Sequence, residues 1–230
     1  MKSLICALAV VLLIPAGLAF QSYEVVQTTG DHDFMFSFRQ NARLAFGPPR
    51  DNERSDWQTL PFPWQFFGKE VTGYYISDNG YITFDTQAKT SVAANTALPD
   101  PAAPRNAIFA FWTDLRMEAG HGQWANSVWT GTLGQAPNRV HVIYFMSLVP
   151  AADTFATAGF NFALVLYEGG EFEVIFTSGR KASTVKATVG ALSADGTTAV
   201  MAAGPAFDFP NVGYGGDDDV NFRFKPTAKE

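Results

Sequence analysis

The stretch Leu60–Phe84, LPFPWQFFGKEVTGYYISDNGYITF, is crowded with aromatic rings and carries an Asn-Gly pair near its end. Whether those rings form a binding surface or the inside of a sheet decides the fold. Phe62, Trp64 and Phe66 recur at period two, the spacing that puts side chains on one face of a strand. Gly68-Lys69-Glu70 then turns the chain, and Val71 to Ser77 runs back. Asn79-Gly80 supplies a type I′ hairpin turn, and Tyr81 to Phe84 forms the next strand. Rings at regular period two belong in a core, where burial stabilises by roughly 1.5–3 kcal/mol each. The stretch reads as interior.

Working outward, strand patterns recur. Phe34–Phe38 (FMFSF) alternates and predicts a strand with Phe34, Phe36 and Phe38 on one face. Arg139–Met146 places Val140, Val142 and Tyr144 on one side, and His141 between them points outward. Phe160–Glu168 and Glu171–Ser178 are joined by Gly169-Gly170, a two-residue connection suited to a tight hairpin. Asn221–Phe224 gives a last short alternation. Clusters of Gly, Pro, Asn and Asp at 46–56, 97–106, 120–123 and 134–138 separate these runs. After residue 22 no segment keeps helical periodicity for three turns between an N-cap and a glycine stop. The pattern is that of an all-β sandwich or barrel.

The N-terminus reads differently. Lys2 precedes an apolar run, Leu4 to Ile14, which Pro15 breaks; Gly17 and Ala19 fit the −3 and −1 positions of a signal peptidase site. The run is shorter than the roughly 20 residues a membrane helix needs. Residues 1–19 are therefore expected to be a cleaved secretory signal, and 20–230 a single domain. Cleavage removes Cys6, the only cysteine, so the mature chain relies on burial and not on disulfides. It also removes Lys2, leaving 15 basic residues against 22 acidic ones and moving the formal charge from −6 to −7. An acidic chain without clustered Lys and Arg argues against nucleic acid or anionic lipid as partner. No second apolar run predicts a membrane span.

The stretch 60–84 resembles a motif of nidogen-type and tumour-endothelial-marker (plexin-domain-containing) extracellular modules, which also occur in bacterial secreted proteins. Further blocks follow in the family's order: Ile108–Leu115, Ala136–Phe145, Phe160–Phe176 and Ala187–Thr197. The resemblance covers about residues 57 to 197. It departs at Thr113-Asp114, where a double acid is common, and at Tyr144-Phe145, where Trp is common. It implies an antiparallel two-sheet sandwich of jelly-roll or lectin-like type, used as an interaction or structural module, and it carries over no catalytic residues.

Chemistry-bearing groups are sparse. Glu171 and Glu173 share one strand face, a separation suited to glycoside hydrolysis, but Phe172, Val174 and Phe176 claim the other face and leave the acids as a solvated exterior. Asp114 follows an apolar strand and is expected to bond its turn. His32, His121 and His141 accompany no G-x-S-x-G elbow and no zinc pattern. Asp217, Asp218 and Asp219, with Asn221 close by on a glycine-relaxed loop, offer the hard oxygen donors that suit calcium, although without EF-hand spacing; Asp31 and Asp33 form a second acidic turn. No cofactor is required. Among the tryptophans, Trp112 reads as core and Trp129 as undecided. Trp124 lies in a Gly-rich loop with His121, Gln123 and Asn126, and Trp57 follows the polar loop 50–56. A loop tryptophan among amides suits a sugar, since the ring covers C–H faces while amides bond hydroxyls.

The sequence thus predicts an exported, extracellular or periplasmic, non-enzymatic binding or adhesion module for a glycan or a cell-surface or matrix protein. The alternatives are a structural component of an envelope or matrix assembly and, behind it, a carbohydrate-active enzyme on a jelly-roll scaffold.

Overall fold

The computed structural model describes residues 22–29, 34–119, 126–152, 159–179, 185–210 and 220–227. In chain order the elements are β1 (Ser22–Thr28), α1 (Phe34–Asn41), β2 (Arg43–Phe46), β3 (Arg50–Asp51), β4 (Gln58–Phe66), β5 (Lys69–Ser77), β6 (Tyr81–Thr83), β7 (Ala107–Trp112) and β8 (Leu115–Met117). They continue as β9 (Ser127–Leu133), β10 (Val140–Pro150), β11 (Phe160–Tyr167), β12 (Phe172–Ser178), β13 (Ala187–Leu192), β14 (Ala199–Phe207) and β15 (Asn221–Thr227). Two antiparallel sheets form a sandwich. The nine-stranded sheet runs β1-β15-β12-β11-β10 and then forks, with β10 pairing β9 along its first half and β8 at its end; β2 extends β9 and β3 extends β8. The six-stranded sheet runs β14-β13-β7-β6-β5-β4.

The opening stretch is interior, as its alternation predicts. Along β4, Gln58, Leu60, Phe62, Trp64 and Phe66 are buried, while Thr59, Pro61, Pro63 and Gln65 are exposed. The Trp64 indole N–H donates to the Tyr167 carbonyl at 2.9 Å and ties this edge strand to the opposite sheet. Stacked rings continue the core: Phe172 on Phe224 at 4.3 Å, Phe160 on Phe209 at 4.5 Å and Phe145 on Phe162 at 4.7 Å between centroids.

Both sheets are also covered on the outside. Phe38, Trp129, Val142, Tyr144, Val165 and Ile175 cluster on the outer face of the larger sheet. On the smaller sheet, Leu98 and Ala103 from the segment 85–106 pack on Tyr81, Phe109, Trp112 and Leu192. Strands buried on both faces explain the long apolar runs of β7, β10 and β11.

Double coverage also overturns several expectations. Phe34–Asn41 is a helix, not a strand. Its period-two pattern was incidental: Phe38 packs beside Gly131, and the Asn41 side-chain amide donates to the Ser37 carbonyl. His141 points inward, 3% exposed, and Val142 and Tyr144 face the outer cluster instead. Glu173 does lie on the outer face of β12, but it is 3% exposed, sealed by hydrogen bonds from the Thr28 and Tyr167 hydroxyls.

The turns are placed differently too. The two-residue β4–β5 turn is Phe67-Gly68, both at positive φ (45° and 72°), as type I′ requires. At the β5–β6 connection Ser77 pairs with Tyr81, so the loop has three residues and only Gly80 takes positive φ, at 76°. A Cβ on Gly80 would sit 2.1 Å from the Phe111 carbonyl oxygen, so glycine is required twice over. The β11–β12 loop likewise holds three residues, Glu168 to Gly170, closed by Tyr167 N–H donating to the Glu171 carbonyl.

Candidate functional site

Strand direction gathers the connections at one pole. Ser127 pairs Met146, Phe160 pairs Leu148, Ser178 pairs Asn161, and Asn221 pairs both Ile175 and Thr28. In the other sheet Ala187 pairs Phe207 and Thr188 pairs Trp112. The Ala151 N–H donates to the Asp114 carbonyl and continues the β10–β8 ladder to this end, where the chain has crossed from β7 into β8. The connections at 78–80, 113–114, 118–126, 151–159, 179–186 and 208–220 therefore all root at this end.

A polar knot underlies the pole. Asp78 and Asn79 are fully buried, because the β5–β6 loop folds beneath the segments 51–55 and 89–92. Asp78 accepts from the Glu53 backbone N–H at 2.9 Å and from the Ser91 hydroxyl at 3.1 Å. The Asn79 amide donates to Asn52 Oδ1 at 3.0 Å and Ser91 Oγ at 2.7 Å, and its oxygen accepts the Leu115 N–H at 2.8 Å. Burial raises the Asp78 carboxyl to about 6 against these hydrogen bonds, and the charges of Asp51 and Glu53 add to the rise. Burial and Asp51 also raise Asp114, while Arg116 opposes them. The sequence signalled none of this beyond a turn.

A second polar centre lies between the sheets. The Tyr74 hydroxyl meets His141 Nε2 at 2.7 Å, and Thr132 Oγ1 meets Nδ1 at 3.0 Å. Burial, followed by the charge of Arg43, lowers the imidazole to about 4, so it is neutral at pH 7. A ring bonded at both nitrogens inside a sandwich organises packing.

The residues singled out from sequence are dispersed. His121, Gln123 and Trp124 lie outside the described residues, as do Asp217, Asp218, Asp219, Asp31, Asp33 and His32. Asn126, at the root of β9, is 3% exposed with φ 53°, and its Oδ1 has no partner among the described residues. Asn221 is buried, and its Oδ1 accepts the Phe176 N–H at 3.3 Å, serving the sheet. The roots of the 118–126 and 208–220 connections on β9 and β15 are four strand spacings apart, about 19 Å. Trp57 belongs to the other sheet. It lies partly exposed across Gly73 and edge-on to Tyr75 at 4.9 Å, with the Arg54 guanidinium 3.8 Å over the Tyr75 ring. Glu171 pairs with Arg223, whose guanidinium also lies over Tyr167. Among the described residues no group of three His, Cys, Asp or Glu side chains could hold a metal ion.

A family model described as NIDO related matches residues 22–212, which takes in β1 to β14. The chain belongs to the NIDO-related family. The match begins well before the motif at 60–84 and so makes the N-terminal strands part of the NIDO-related module. No solved structure matches the chain. No helix among its described residues is long and apolar enough to cross a membrane.

Proposed function

We propose that this NIDO-related chain is an exported, non-enzymatic binding module that engages a glycan or a surface protein through the loops of one pole. The observation that supports the reading is the rooting of the connections at 118–126, 151–159, 179–186 and 208–220 at a single end of a double-layered frame, the connection 84–106 rooting at the other. Loops positioned by a rigid scaffold are where recognition residues concentrate. Two of the candidate sets, His121-Gln123-Trp124 with Asn126 and Asp217–Asp219, belong to such connections. In this reading calcium, bound by Asp217–Asp219, orders the second of them. The geometry of the remaining acids fits a role without catalysis: Glu173 is sealed by two hydroxyls and Glu171 by an arginine, so the pair does not flank an open cleft.

The test is a glycan array probed with the chain from Phe20 onward, with calcium and with a chelator, alongside Trp124→Ala. Selective binding that Trp124→Ala abolishes supports the reading, and loss in chelator assigns the metal to Asp217–Asp219. A blank array in both buffers, with no surface protein captured, counts against it. One observation favours the assembly reading instead: β14 is an uncharged edge strand carrying Met201, 40% exposed. Concentration-dependent association without ligand would support that alternative.

A further inference from the structure

The opposite pole carries a groove of about 270 Å³ between two hairpin tips. Phe66, Phe67 and Lys69 line it from the β4–β5 turn, and Ser193, Asp195 and Thr198 from the β13–β14 turn. The β6 strand, only Tyr81–Thr83, stops short between them.

Three properties of this groove point to one ligand chemistry. First, Phe67 occupies a left-handed position, φ 45°, where Asn or Gly would sit without strain. A bulky side chain held there calls for a reason outside the turn. Its ring is fixed edge-on against Tyr23 at 5.2 Å and Phe66 at 4.8 Å, which leaves an aromatic wall facing the groove. Second, Lys69 brings an exposed ammonium whose charge acts on Asp195 across the groove. Third, the far wall is a set of oxygens held in place. The Ser193 hydroxyl and the Thr197 N–H both bond Asp195 Oδ1, at 2.5 and 3.0 Å, and Ser193 Oγ also accepts the Thr198 N–H at 3.0 Å. These bonds, with a further one from the Thr197 side chain and the charge of Lys69, hold the carboxylate ionised, at about 2, as an exposed acceptor at the groove.

An aromatic wall, an exposed cation and a fixed acceptor match a pyranose ring that bears a carboxylate. The ring's C–H face lies on Phe67, its carboxylate meets Lys69, and its hydroxyls donate to Asp195. We propose that this groove binds a single acidic sugar residue of the uronic-acid class. The site is distinct from the loop pole and stands whether or not that pole binds anything. A neutral sugar forfeits the cation. A plain carboxylate forfeits both the ring face and the acceptor.

The experiment is an NMR titration of the chain from Phe20 onward with methyl β-glucuronide, methyl β-glucoside and acetate as probes. The glucuronide is expected to saturate with Kd on the order of 1 mM, and the other two to bind at least about tenfold more weakly. Lys69→Gln should weaken glucuronide binding about tenfold with an unchanged melting temperature, and Phe67→Asn, which suits the left-handed turn, should weaken it without unfolding the chain. Trp124→Ala should leave it intact. The proposal is overturned by equal affinity for glucoside or acetate, by absence of saturation, by indifference to Lys69→Gln, or by loss of binding in Trp124→Ala, which would move the site to the loop pole.

Discussion

Two buried polar centres, Tyr74–His141–Thr132 between the sheets and Asp78–Asn79–Ser91 under the loop pole, face the same cost of taking polar atoms out of water. They meet it in opposite protonation senses. At His141 burial expels a proton, since the charged imidazole is the form that loses hydration. At Asp78 burial retains one, since there the charged form is the deprotonated one. Between about pH 4 and 6 the unfolded chain carries a proton on the histidine and none on the aspartate, and the folded chain carries the reverse. The number of protons bound by the pair is the same in both states, so its contribution to stability is flat across this window. Two sites that look alike by exposure cancel each other in titration.

The largest effect is expected where the knot depends on backbone. Gly80→Ala forces a Cβ into the Phe111 carbonyl at a positive φ and should destabilise by about 4 kcal/mol or more, read as loss of a cooperative denaturant transition. Breaking the cancellation comes next. Asp78→Asn leaves His141 alone. The unfolded state then binds the extra proton, so stability should fall by about 3 kcal/mol as pH drops from 6.5 to 4. His141→Gln leaves Asp78 alone. The folded state then binds the extra proton, so stability should instead fall by about 3 kcal/mol as pH rises from 3.8 to 6. Urea midpoints at several pH values check both, and parallel slopes in the two variants would refute the cancellation. Smaller still, Tyr74→Phe strands one imidazole nitrogen and should cost about 1–3 kcal/mol at neutral pH by the same measurement.

The legible parts of the fold were those where one face meets water. β4 alternates visibly because Thr59, Pro61, Pro63 and Gln65 are exposed opposite buried rings. In β10, buried on both faces, alternation does not say which face is the interior; hence His141 and Val142 exchanged sides. Glu173 sat on its expected face, but long-range partners at Thr28 and Tyr167, invisible in a local window, sealed it from solvent. The FMFSF segment shows the converse, a short period-two pattern overridden by Phe38 packing beside Gly131. The Asn-Gly pair marked a real turn but could not reveal that Asp78 completes a three-residue loop. The groove at the far pole joins residues 66–69 to 193–198, and no local pattern reports such a pairing.

Pro61 and Pro63 on β4 have a consequence for growth. A ribbon of copies joined edge to edge needs two receptive borders on each unit. One border of the six-stranded sheet has given up N–H donors at two places, whereas the other, β14, has its proline at Pro205 and keeps an uncharged run from Ala199 to Ala203. Joining through this sheet therefore terminates at a pair: the first union uses up the receptive border, and a fibre has nothing left to propagate from.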